Sequence, residues 1–82
     1  MITLYQAIKL TEDALDYGVY LRRVGDSWTE SEWFLLKTIR EQSDMKRIKV
    51  HKIGFSEYSG TDLEFEVSGE GVEELFKRRR RT

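Results

Sequence analysis

The sequence predicts a small single-domain α+β fold of order α-β-α-β-β-α, with a three-stranded sheet and helices packed on one of its faces. Three observations carry this expectation. Two capping-box signatures, in "TLYQAIKL" and "TESEWFLL", each lead into apolar residues at helical spacing. The segment "TDLEFEV" alternates apolar and acidic residues with the period of a strand. The preceding "YSG" reads as the loop of a hairpin whose first strand is "RIKVHKIGFSEY".

Thr3 and Gln6 form the first capping box, each side chain satisfying a backbone N–H of the other. Leu4, Ile8, Thr11 and Leu15 then fall on one stripe, widened by Ala7 and Ala14, which predicts a helix over residues 4–15. Gly18 stands ready to break it. "YGVYLRRV" follows and reads as a strand, with Val19 and Leu21 on one face and Tyr20 and Arg22 on the other. Thr29 with Glu32 marks the second helix start, and Leu35, Leu36 and Ile39 form its buried stripe as far as Gln42. In the hairpin, the loop pairs Phe55 with Leu63 and Ile53 with Phe65 on the core face, and puts Lys52 opposite Glu66 on the outer face. Ile48 and Val50 have the wrong parity for that core face, so a bulge near His51 or Lys52 is expected. Val72, Leu75 and Phe76 then give a short amphipathic helix.

The 82 residues bound what such a chain does. One core fits, burying roughly 60–65 % of the unfolded surface. Residues 1–76 are read as the domain and residues 77–82 as a basic tail continuing the last helix. No apolar stretch approaches membrane-spanning length, and the N-terminal stretch, broken by Lys9 and then acidic, does not match a secretory signal. With no Cys there is neither a disulfide framework nor a thiolate zinc site, and a cytoplasmic setting is expected. The formal net charge of -1 hides segregation: residues 45–53 carry four cations and no anion, residues 54–76 seven anions and no cation, residues 77–81 five cations.

Signals for chemistry are weak. His51 is the sole His and lies in a cationic strand, which disfavours its charged form and suits surface decoration better than catalysis. "GEG" at residues 69–71 precedes a helix, but Glu74 stands where a dinucleotide fingerprint needs glycine, and Glu70 would repel phosphate. Asp62, Glu64 and Glu66 are spaced too widely along one strand face for a single cation. The expectation is a non-enzymatic protein with no metal and no cofactor.

Two surfaces remain as candidates. On the second helix, Trp33 and Phe34 project roughly 115° and 145° from the buried stripe. Together with Trp28 they predict an aromatic helix surface for a protein partner or a second copy of the chain. The alternative is a nucleic-acid contact through Lys77, Arg78, Arg79, Arg80 and Arg81, extended by Lys46, Arg47, Lys49 and Arg22 if their strands lie side by side, with Tyr20 to stack on a base. Against it, Glu73 and Glu74 stand four residues before Lys77 and Arg78, so the tail also reads as a solubilising helix end.

Overall fold

The Thr3 hydroxyl accepts the Gln6 N–H at 3.1 Å, while Gln6 Oε1 accepts the Thr3 N–H at 2.9 Å, so the first capping box is complete. The computed structural model describes residues 1–79, with side chains through Lys77. A two-residue strand β1 (Ile2–Thr3) runs directly into α1 (Leu4–Thr11), and a single 3-10 turn (Glu12–Ala14) takes the place of the last helical turn expected up to Leu15. There follow β2 (Gly18–Arg23), a 3-10 turn (Trp28–Glu30), β3 (Glu32–Leu35), α2 (Leu36–Gln42), β4 (Ile48–Phe55), β5 (Leu63–Gly69) and α3 (Val72–Arg79).

The α+β class holds, but the sheet has five strands rather than three, in the order β1-β4-β5-β2-β3. β2 and β5 are parallel neighbours, and every other adjacent pair is antiparallel. β3 is the larger correction, because it occupies the first turns of the expected second helix. The local cap there is spent elsewhere. The Thr29 hydroxyl lies 2.6 Å from that of Ser27, and the Thr29 carbonyl accepts the Tyr58 hydroxyl at 2.7 Å. A strand also serves Trp33 and Phe34 better than a helix. Adjacent strand residues point to opposite faces, so Phe34 enters the core while Trp33 lies across Tyr20. α2 begins only at Leu36, whose N–H donates to the Tyr17 carbonyl at 2.8 Å, a partner no local signal announces.

One face of the sheet holds the core. Val19 and Leu21 from β2, Phe34 from β3, Ile48 and Val50 from β4, and Phe65 and Val67 from β5 share it by register and are all buried. The helices close over them with Leu4, Ala7 and Ile8, with Ile39, and with Val72, Leu75 and Phe76. The expected bulge lies between Val50 and Lys52, and it turns Ile48 and Val50 inward. The pairings Phe55–Leu63, Ile53–Phe65 and Lys52–Glu66 are those the hairpin implies. At its far end the core face is uncovered. Ile53 is 40 % and Phe55 66 % exposed.

α3 is fixed to the sheet by charge as well as by apolar contact. The Arg23 guanidinium lies 4.9 Å from the Phe76 ring centroid and bonds Asp26 and Glu73. The hydrogen bond to Asp26 raises the Arg23 pKa above its ordinary value against the opposing effect of burial. Glu70 is held by Arg47 at 2.9 Å. Glu70 and Glu73 are thus engaged by cations from elsewhere in the fold. The Arg78 partner expected for Glu74 lies outside the described side chains. Among the described residues, no helix is long and apolar enough to cross a membrane.

Candidate functional site: an open sheet face with an aromatic row

Among the described residues the helices pack on one face of the sheet only, and the second is partly covered by loops. Strand alternation directs Tyr20 and Arg22 to it from β2, Trp33 and Leu35 from β3, Glu64 and Glu66 from β5, and Lys52 from β4. Cross-strand register sorts these into rows. Trp33, Tyr20 and Glu64 lie side by side, ending at Gly54; Arg22, Glu66 and Lys52 form the next row.

Two loops complete the aromatic part. Tyr58, from the β4–β5 connection, stacks on Tyr20 at 5.7 Å between centroids with 21° between planes. Trp28 meets Tyr58 edge-on at 5.4 Å, and Trp33 meets Tyr20 edge-on at 5.1 Å. The result is a continuous row Trp33–Tyr20–Tyr58–Trp28. Each such contact contributes about 0.5–1.5 kcal/mol beyond burial. The Tyr58 bond to Thr29 ties the two loops together. Trp28 is 49 %, Tyr58 52 % and Leu35 48 % exposed, while Tyr20 and Trp33 are half-buried.

The charged row is internally paired. Arg22 Nε donates to Glu64 at 3.3 Å and Arg22 Nη2 to Glu66 at 3.0 Å, with all three side chains largely shielded. Arg22 thereby takes the partner that register would offer Lys52, which is in no ion pair among the described residues. The second Glu64 oxygen is buried with no hydrogen-bond partner among the described residues. Trp28, Glu57 and Lys52 border these groups in a shallow depression of about 230 Å³.

The residues singled out in the sequence are separated by this arrangement. Trp28 and Trp33 stand at the two ends of the aromatic row. Phe34 does not belong to it: it is 2 % exposed on the opposite face, edge-on to Phe76 at 5.2 Å. The surface is a sheet face rather than a helix face. Leu35, expected in the core, faces outward because the strand reverses its parity. Tyr58 was missed, since nothing in the loop "SEYSG" shows that its ring returns over β2.

The adjacency that would join Arg22 and Tyr20 to the cations of β4 is absent among the described residues. β5 separates β2 from β4, and Arg22 is held by the two glutamates. Lys77 is exposed on α3; the side chains of Arg78 and Arg79, and all of Arg80 and Arg81, lie outside the described residues. A different cationic cluster is present. Lys9 and Lys46 lie 5.8 Å and 5.3 Å from the ring centroid of Tyr5, and Lys9, Arg40 and the acidic Glu12 line a hollow beside that ring. His51 Nε2 lies 2.6 Å from Ser68 Oγ on the exposed β4–β5 surface. Among the described residues no group of three metal-ligating side chains converges.

No family model, no curated protein and no solved structure matches this chain.

Proposed function

We propose that this protein is a non-enzymatic, cytoplasmic binding module, formed by residues 1–76, that takes a protein partner on its open sheet face. The observation that carries the reading is the aromatic row. Rings anchored to one another across β2, β3 and two loops leave Trp28, Tyr58 and Leu35 half exposed on a face that no helix covers among the described residues. Pre-ordered aromatic side chains bind with little further loss of conformational freedom, which is why Trp and Tyr dominate binding energy at interfaces. The ion-paired Arg22, Glu64 and Glu66 beside them suit a polar rim rather than a strongly charged ligand. No cofactor enters this reading.

The test is capture from nuclease-treated lysate by the wild-type protein and by a Trp28→Ala/Tyr58→Ala variant. Proteins retained by the first and lost by the second support the reading. Identical captured sets for both proteins overturn it.

A second reading, nucleic-acid contact, has one observation in its favour: Lys9 and Lys46 flank the exposed ring of Tyr5, a pairing of cation and stacking surface that suits a single strand. Lys77 and the tail arginines would add phosphate contacts. A low-salt gel shift that is weakened both by Tyr5→Ala and by removal of residues 77–82 would favour it; unshifted nucleic acid would dismiss it.

A further inference from the structure

We propose that two copies of this chain associate edge to edge through β4, antiparallel, about a two-fold axis at Gly54. This does not rest on the sheet-face reading: it uses the free edge of β4, although Lys52 and Gly54 also border that face. β1 covers only Lys49 and Val50 of β4, through the pairs Thr3–Lys49 and Ile2–Val50. From Lys52 to Phe55 the backbone has β5 on one side and no strand on the other among the described residues. Such an edge offers N–H and C=O groups to another strand.

The side chains favour a second copy as the occupant. Ile53 and Phe55 share the helix-side face and are 40 % and 66 % exposed there. Gly54 between them is open, with no heavy atom within 4 Å of where a Cβ would stand. With the axis at Gly54, Ile53 of each copy falls opposite Phe55 of the other. This makes two apolar pairs of the kind that stabilise antiparallel strands. Lys52 falls opposite Ser56, just past the end of the strand, so no like charges meet. Moving the axis to Lys52 would set Lys52 against its own copy, and moving it to Ile53 would replace the two Ile–Phe pairs with one Ile–Ile pair. A two-fold axis normal to the sheet keeps both helix layers on one side and both aromatic rows on the other. The bulge at His51 and the charge of Lys52 blunt the rest of the edge, which limits the contact to a short segment and makes association weak and concentration-dependent.

The absence of Cys makes the test direct. A Gly54→Cys chain places its two sulfurs at the axis, where the Cα atoms of paired antiparallel residues lie about 4.5–5.5 Å apart, within disulfide reach. Under mild oxidation this variant should form covalent dimers much faster than a Lys37→Cys control on exposed α2. Sedimentation velocity on the uncysteined protein should show the mass rising from 9.8 kDa toward that of a dimer with concentration. Phe55→Lys and Ile53→Lys, at exposed positions that leave the core intact by circular dichroism, should each abolish the rise. A protein that stays monomeric at every concentration, equal crosslinking from both cysteines, or dimers that survive both lysine substitutions would overturn the proposal.

Discussion

The indole of Trp33 lies directly over Gly18: a Cβ at residue 18 would stand 2.9 Å from the ring, and nearer still to the Phe34 carbonyl oxygen. This contact bears on where the aromatic row begins, because a side chain at residue 18 would displace the ring that meets Tyr20 edge-on. It also gives Gly18 a purpose other than ending a helix.

Gly18→Ala should therefore destabilise the fold by about 1–3 kcal/mol, the usual cost of forcing atoms into a filled space. Gly54→Ala, in open surroundings, should be close to neutral. Urea denaturation of the two variants side by side checks this, and equal stabilities would contradict it.

Phe34 and Trp28 should respond in opposite ways. Phe34→Ala removes a fully buried ring against Phe76 and should cost about 3–5 kcal/mol, enough to unfold much of a chain this small. Trp28→Ala should cost about 1 kcal/mol, the scale of a single ring contact. Thermal melts of the two proteins distinguish a core residue from a surface one.

The two capping boxes look alike in sequence, and only one forms. Thr3→Ala should cost about 1 kcal/mol of stability, as loss of an N-cap does. Thr29→Ala, which removes no cap, should change stability by about 0.5 kcal/mol or less. Chemical denaturation showing similar losses for both would mean that Thr29 stabilises the fold by another route.

That contrast marks the limit of what the sequence makes legible. Hairpin register, the bulge before Lys52, the first cap and the stripe Val72–Leu75–Phe76 are local patterns, and each appears as its residues imply. β1 and β3 were not legible for a different reason. β1 has two residues, too few for any period, and β3 exists because Val19 and Tyr20 lie beside Phe34 and Trp33, a pairing settled only in three dimensions. Missing β3 placed Phe34 on the surface and Leu35 in the core, the reverse of what the structure has. Trp28 and Trp33 stood out in the sequence, but the row that joins them through Tyr20 and Tyr58 did not. Tyr58 was not legible, since its ring is brought over Tyr20 by a turn closed by the Gly60 N–H donating to the Ser56 carbonyl at 2.8 Å.

Arg22 should couple to both glutamates. In a double-mutant cycle with Arg22→Met and Glu66→Gln, the coupling should be about 1 kcal/mol, because both side chains are largely shielded from water. Zero coupling would make this a surface ion pair of the ordinary kind, with no role in ordering the row beside the rings.

The most direct measurement of the binding reading is photo-crosslinking from single sites in cells. A photoreactive side chain at Leu35 stands on the open sheet face beside Trp33, and the same group at Lys37 stands on exposed α2. Discrete protein adducts from position 35 and none from position 37 are the expected result. Adducts from position 37 alone, or none from position 35, would contradict a working surface on that face.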